Sequence, residues 1–188
     1  MLIKTVCKSL GNTQESYINT KTVDEEGELE ELLFQFAKKD GGQLFAILDA
    51  ARSDEVLARL IQSETEYESL FKGRKEEGLY DVAPFLVVCK EKTELMQWLT
   101  SEGWGESLGV FFSSPDSFKN LLCHFQNLLI VKGSDGDEMY FRFYDPRVLR
   151  AYLPTCTMQE LNLFFGNINR FMVESKDSKL ILSFDLTN

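Results

Sequence analysis

A single histidine, His124, stands in the 188 residues, so any site that needs two imidazoles is excluded. The four cysteines, Cys7, Cys89, Cys123 and Cys156, lie far apart and form no CxxC pair. Neither a zinc site nor a redox motif is signalled, and reduced, mostly buried thiols are expected. No glycine-rich loop is present to wrap a phosphate with backbone amides, and no GxSxG elbow exposes a nucleophilic serine. Basic residues are in short supply, 20 against 30 acidic, for a formal charge of -10. A nucleic-acid backbone is repelled by such a field and is not an expected partner. No apolar run is long enough to span a bilayer. Lys4 and Lys8 interrupt the apolar residues of Met1 to Leu10, which denies that stretch the core of a signal peptide. These absences lead to the expectation of a cytoplasmic protein with no membrane insertion, no metal and no cofactor.

What is present is a globular composition, 44% hydrophobic with 15 phenylalanines, enough for a sizeable core. The stretch Met1 to Val23 has weak periodicity. Within Glu28 to Lys38, Leu29, Leu32, Leu33 and Phe36 fall on one helical face. Glu28, Glu30 and Glu31 in its first turn and Lys38 and Lys39 at its end match the helix dipole, and Gly41 and Gly42 stop it. The acidic side of that helix is read as a solvated face in preference to a docking surface. Leu44 to Leu48 reads as a buried strand, and Ser53 then caps a helix with Val56, Leu57, Leu60 and Ile61 on one stripe. Pro84 to Cys89 is a second apolar run, followed by a helical pattern through Leu95, Met96 and Leu99. Leu108 to Phe112 is a third run. It leads into Ser114-Pro115-Asp116, read as N-cap and first helical position, and a helix carrying Phe118, Leu121, Leu122, Phe125, Leu128 and Leu129.

Strand and helix alternating three times predict an α/β fold with a mixed sheet: a parallel βαβαβα section followed by antiparallel hairpins and short helices. Ile130 and Val131, the turn-like Gly133-Ser134-Asp135-Gly136 and the alternation from Met139 to Tyr144 read as one hairpin. Thr157-Met158-Gln159-Glu160 is a capping box for a helix that Gly166 closes. Phe171 to Glu174 and Leu180 to Phe184 read as a last hairpin. No internal repeat or low-complexity linker appears. The expected organisation is an N-terminal extension, residues 1–40, whose amphipathic helix packs on a main domain of residues 41–188, with room for a small C-terminal lobe from about residue 131.

Asp49 and Arg52 fall just past the first expected strand, where open parallel sheets place ligand crevices. Their structural use is an internal Asp–Arg pair, or Asp49 accepting bonds from loop amides. Asp145 can cap a helix, Pro146 suits its first position, and Arg147 can reach a carboxylate with both arms. Arg142 shares a strand face with Tyr140 and Tyr144, where stacking on tyrosine suffices to explain it. His124 sits at the border of an apolar helix face, as a half-buried, hydrogen-bonded residue. Its sequence neighbour Cys123 points about 100° away and forms no dyad with it. Trp98, Trp104, Phe111 and Phe112 are core or core-edge residues, any exposed subset of which marks a docking patch.

Four spaced segments carry a resemblance: Leu48-Asp49-Ala50-Ala51-Arg52, Val82-Ala83-Pro84-Phe85-Leu86, Phe141 through Arg150 with its Asp145-Pro146-Arg147 corner, and Leu163-Phe164-Phe165-Gly166. Together, from about Leu44 to Ile168, they resemble the effector-chaperone or adaptor (Tap) family of bacterial type VI secretion. The resemblance implies a chaperone or adaptor, not an enzyme, that binds a type VI effector and promotes its loading onto the VgrG spike. It marks Asp49, Arg52, Pro84, His124, Arg142, Asp145, Pro146 and Arg147 as motif residues for fold or partner binding. After His124 the family pattern continues with a basic pair, whereas this chain has Phe125-Gln126-Asn127. The alternative from another class is a small α/β hydrolase or transferase using Asp49, His124 and Asp145 in one crevice.

Overall fold

A computed structural model of the chain describes residues 18–22, 28–74, 76–132 and 138–186. The readings of Met1 to Leu10, of Cys7 and of the turn Gly133 to Gly136 lie outside the described residues. Nine strands and six α-helices follow in the order β1 (Ile18–Thr22), α1 (Glu28–Lys39), β2 (Gln43–Asp49), α2 (Asp54–Gln62), β3 (Tyr67–Ser69), β4 (Pro84–Val88), α3 (Glu94–Ser101), β5 (Gly109–Ser114), α4 (Phe118–Leu128), β6 (Ile130–Lys132), β7 (Glu138–Tyr140), α5 (Pro146–Tyr152), α6 (Met158–Phe165), β8 (Arg170–Glu174) and β9 (Leu180–Asp185). Two 3-10 segments, Glu77–Val82 and Leu153–Thr155, complete the described elements.

Seven strands form one sheet in the order β1-β9-β8-β5-β2-β4-β3, and every neighbouring pair is antiparallel. The expected parallel βαβαβα section is therefore overturned. β4 and β5 do run in the same direction and are joined through α3, but β2 lies between them and antiparallel to both. The misreading has a physical cause. A continuous apolar run reports burial on both faces, and a sheet covered by helices on both faces imposes that burial whatever its strand direction. The short strand β3, which carries no strong hydrophobic signal, reverses the chain between α2 and β4.

The two layers of helices follow from strand alternation. On β8, the Arg170 guanidinium lies 5.1 Å from the centroid of the Phe36 ring in α1. The next residue, Phe171, meets Phe125, Phe164 and Phe165. Successive strand residues point to opposite faces, so α1 covers one side of the sheet and α4 and α6 the other. The second side holds a phenylalanine core: Phe112 contacts Phe45, Phe125 and Phe171 at centroid separations of 5.3, 4.9 and 5.9 Å, and Phe143 stacks on Phe125 at 5.5 Å. Such pairs contribute about 0.5–1.5 kcal/mol each beyond the area they bury.

Local signals set most helix ends. Ser53 accepts from the Glu55 amide, Asp145 from the Arg147 amide, and Thr157 and Glu160 form the reciprocal capping box. α4 departs from expectation, since its N-cap is Ser117. Ser114 instead ends β5, where its hydroxyl donates to the Asn167 carbonyl at 2.9 Å and accepts from the Asp116 amide at 3.1 Å. The strand expected to alternate to Tyr144 ends at Tyr140. Phe143 and Tyr144 are both buried, which an alternating strand with one solvated face cannot do, and the Asp145 amide closes a turn onto the Arg142 carbonyl at 3.0 Å. Where β5 begins, a Cβ on Gly109 would run into the Ile47 carbonyl, so only glycine permits that close approach of β5 to β2. Among the described residues, no helix is long and apolar enough to cross a membrane.

Candidate functional site

After Gln43, β2 runs apolar from Leu44 to Leu48 and then ends on a carboxylate, Asp49, that is 1% exposed. Opposite it stands Pro84, the first residue of β4. Backbone bonds from Asp49 to the Leu108 carbonyl and from Ala50 to the Ala83 carbonyl fix this end of the sheet. A buried carboxylate needs partners, and Asp49 has two: Oδ1 accepts from the Ala51 amide at 3.2 Å, and Oδ2 accepts from Nη2 of Arg142. Arg142, 93 positions away in sequence, lies with its guanidinium carbon 5.9 Å from the Tyr144 ring centroid. The hydrogen bond to Asp49 raises the Arg142 pKa above its ordinary value. Burial, reinforced by the negative charge of Asp49, pushes the Tyr144 phenol up to about 12.

Three residues on, Asp145 opens α5. Its Oδ1 accepts from the Arg147 amide at 2.9 Å and from Arg147 Nε at 3.0 Å, and its Oδ2 accepts from Arg147 Nη2 at 2.6 Å. Burial pushes the Asp145 carboxyl up, but the Arg147 hydrogen bonds and charge outweigh it and hold the pKa below the ordinary aspartate value. The Asp145 side chain is 5% exposed and that of Arg147 52%. In the last turn of α5, Arg150 donates from Nη1 to the Glu174 carbonyl at the end of β8. Burial lowers its pKa, although a guanidinium stays charged in water. The buried Glu174 carboxylate accepts from the Gly105 amide at 2.6 Å and the Ser107 hydroxyl at 3.0 Å. Three polar groups thus gather at this end of the sheet: Asp49 with Arg142, Asp145 with Arg147, and Glu174 with Arg150, Gly105 and Ser107.

The structure brings Asp49, Pro84, Arg142, Asp145, Pro146 and Arg147 together. Arg52 sits at the rim, and its guanidinium goes to the Glu106 carbonyl at 3.1 Å. Of the two uses expected of Asp49, the bond from a loop amide is present, from Ala51, while the arginine that pairs with it is Arg142 and not the nearby Arg52, which the turn after β2 directs outward. An open groove of about 250 Å³ beside it is lined by Arg52, Ser53, Glu55, Trp98, Glu102, Glu106 and Leu108. His124 belongs elsewhere: half-buried on α4, its Nε2 lies 2.9 Å from the Phe164 carbonyl and its ring packs against Phe125. A Cβ on Gly166 would come within 3.0 Å of that ring. Trp98, Phe111 and Phe112 are buried, and Trp104, partly buried, donates from Nε1 to the Ser178 carbonyl at 2.9 Å. The exposed large apolar residues are others, among them Val131, Met139 and Tyr140 on the small hairpin and Met158 and Leu163 on α6. Cys89 and Cys156 are buried and Cys123 exposed, all three as free thiols. Among the described residues, no group of three or more His, Cys, Asp or Glu is placed to hold a metal ion.

Sequence reasoning missed a second network. Arg170, with only 9% of its side chain exposed, donates to Asp40 through Nε at 2.7 Å and Nη2 at 3.0 Å, and pairs with Asp185 and Ser183 through Nη1. The Ser113 hydroxyl donates to the Asp40 carboxylate at 3.1 Å, and the Asn169 side-chain amide donates to the Asp40 backbone carbonyl at 2.9 Å. A signal was available: Arg170 and Glu174 bracket an apolar run, and a charge at each end of a buried strand requires a partner.

A family model described as "Domain of unknown function (DUF4123)" matches residues 44–163. No curated protein and no solved structure matches the chain.

Proposed function

The chain belongs to the DUF4123 family, and from that membership together with the site at the sheet end we propose that it is a cytoplasmic chaperone or adaptor of type VI secretion. In this reading it binds a type VI effector and promotes the effector's loading onto the VgrG spike. The family match and the spaced motifs cover nearly the same span, which supports reading the motifs as one family feature.

The observation that carries the proposal is the arrangement of the motif residues. Asp49 at the end of β2 and the segment from Arg142 to Arg147 meet at one end of the sheet as two ion pairs, Asp49–Arg142 and Asp145–Arg147, with both carboxylates buried and both guanidiniums half-exposed. A carboxylate already gripped by an arginine is poorly suited to act as a base and well suited to hold that arginine at a fixed place on a surface. Recognition needs the second property. The residues of the hydrolase or transferase alternative are each engaged separately, Asp49 with Arg142, Asp145 with Arg147 and His124 with the Phe164 carbonyl. The apolar side chains that binding would use are the exposed ones on the hairpin and α6, beside charged neighbours.

Co-expression with the effector encoded beside it, followed by size-exclusion chromatography, tests the reading. A stable complex is expected, together with loss of effector secretion in a deletion strain. Separate elution of two folded proteins across a range of salt concentrations would overturn it.

A further inference from the structure

We propose that Arg142 and Arg147 form a recognition site for aspartate or glutamate side chains of the partner protein, an inference that rests on the adaptor reading. Each guanidinium is held from below by a buried carboxylate, 1% exposed for Asp49 and 5% for Asp145, while 45% of the Arg142 side chain and 52% of the Arg147 side chain face solvent. Asp145 takes Nε and Nη2 of Arg147, so Nη1 is not used in that pair. Asp49 takes Nη2 of Arg142, which also lies against the Tyr144 ring. Both heads are therefore fixed in position before any partner arrives, and little side-chain freedom remains to be lost on binding.

The charge balance selects the ligand. The chain as a whole carries -10, yet this end gathers Arg142, Arg147 and Arg150 around Asp49, Asp145 and Glu174, with the carboxylates inside and two of the guanidiniums half outside. Because each arginine is backed by its own carboxylate, long-range attraction is weak and recognition depends on short, directed hydrogen bonds. A planar carboxylate matches a guanidinium edge with two such bonds. A polyanion gains little here, since its many phosphates would meet the repulsion of the remaining acidic surface. The ligand that fits is one or two carboxylate side chains on a protein surface, seated beside apolar contacts.

The test uses the full chain and the effector encoded beside it, with affinities measured by calorimetry at two salt concentrations. Arg142→Lys and Arg147→Lys each keep the charge but lose the fork. The paired variant Asp145→Asn/Arg147→Gln removes a buried charge together with its partner and leaves asparagine as the helix cap. Binding about tenfold weaker or more is expected for all three, with thermal midpoints of the lysine variants close to wild type and a reduced salt dependence for the paired variant. Affinity within twofold of wild type in all three folded variants would overturn the site while leaving the adaptor reading intact. A wild type that does not bind the effector would remove the adaptor reading and this inference with it. Retention of a DNA duplex by the wild type, lost in the paired variant, would identify a phosphate site and refute the carboxylate assignment.

Discussion

Replacing Arg170 with alanine removes the cation from a network in which Asp40 and Asp185 are 11% and 13% exposed. Two carboxylates would then share a nearly dry site with no arginine between them, and the Phe36 ring would lose its cover. Breaking a buried ion pair by deleting one partner costs about 3–5 kcal/mol, much of it from the charge left behind. The Ser113 hydroxyl still donates to the Asp40 carboxylate and moderates the loss. For a chain of this length, about 2–4 °C of thermal midpoint accompanies each kcal/mol, so a drop of about 6–20 °C is expected. Thermal unfolding followed by circular dichroism measures the drop, and urea titration the free-energy loss, with the urea slope checked against wild type so that a change in the denatured state is not mistaken for a change in stability. Adding Asp40→Asn to Arg170→Ala should recover part of the loss, because the two sites are coupled through the same bonds. A loss below about 1 kcal/mol for the single variant, or strict additivity in the pair, would refute the view that this network ties α1 to β8 and β9.

Asp145 supplies a pH-dependent contribution. Its folded pKa is depressed, so the stability it adds is fully present above its unfolded value of about 3.9 and disappears as the pH falls through the lower folded value. The difference in unfolding free energy between wild type and Asp145→Asn, which retains the cap, should be largest near neutral pH and vanish in strong acid; a difference that grows on acidification would reverse the assignment. Arg147→Ala should lower stability by about 1–3 kcal/mol at pH 7, because it leaves the buried Asp145 carboxylate without the positive charge that a lysine would still supply, and unchanged stability with lost effector binding would place its role at the interface alone. His124→Ala should cost about 1–3 kcal/mol through one hydrogen bond and some packing while effector secretion persists; abolished secretion at normal abundance, with the complex intact, would reopen a chemical role.

Much of the molecule was legible locally because the forces that set it are local. The caps at Ser53, Asp145 and Thr157 depend on side chains reaching amides two or three residues away, and the helical faces of α1 and α4 depend on a period within a single segment. The hairpin β8–β9 was readable for the same reason. The cap of α4 was misplaced because Ser114 and Ser117 both precede the helix, and only the pairing of β5 decides which of them is still strand.

Sequence by itself determined the six helices to within a few residues, the apolar strands β2, β4, β5, β8 and β9, and that the Asp145-Pro146-Arg147 corner would open a helix, but it did not mark β1, β3 or the end of β7. The tertiary structure alone decided the direction of the strands, since β2, β4 and β5 are buried on both faces and an apolar run carries no record of its neighbour's polarity. It also decided which charges meet. Asp49 faced a choice between an arginine three positions away and one 93 positions away, and Arg170 reaches an aspartate 130 positions away. Burial removes water as a partner for such groups, so the fold must bring a counter-charge from wherever the chain returns to the same place.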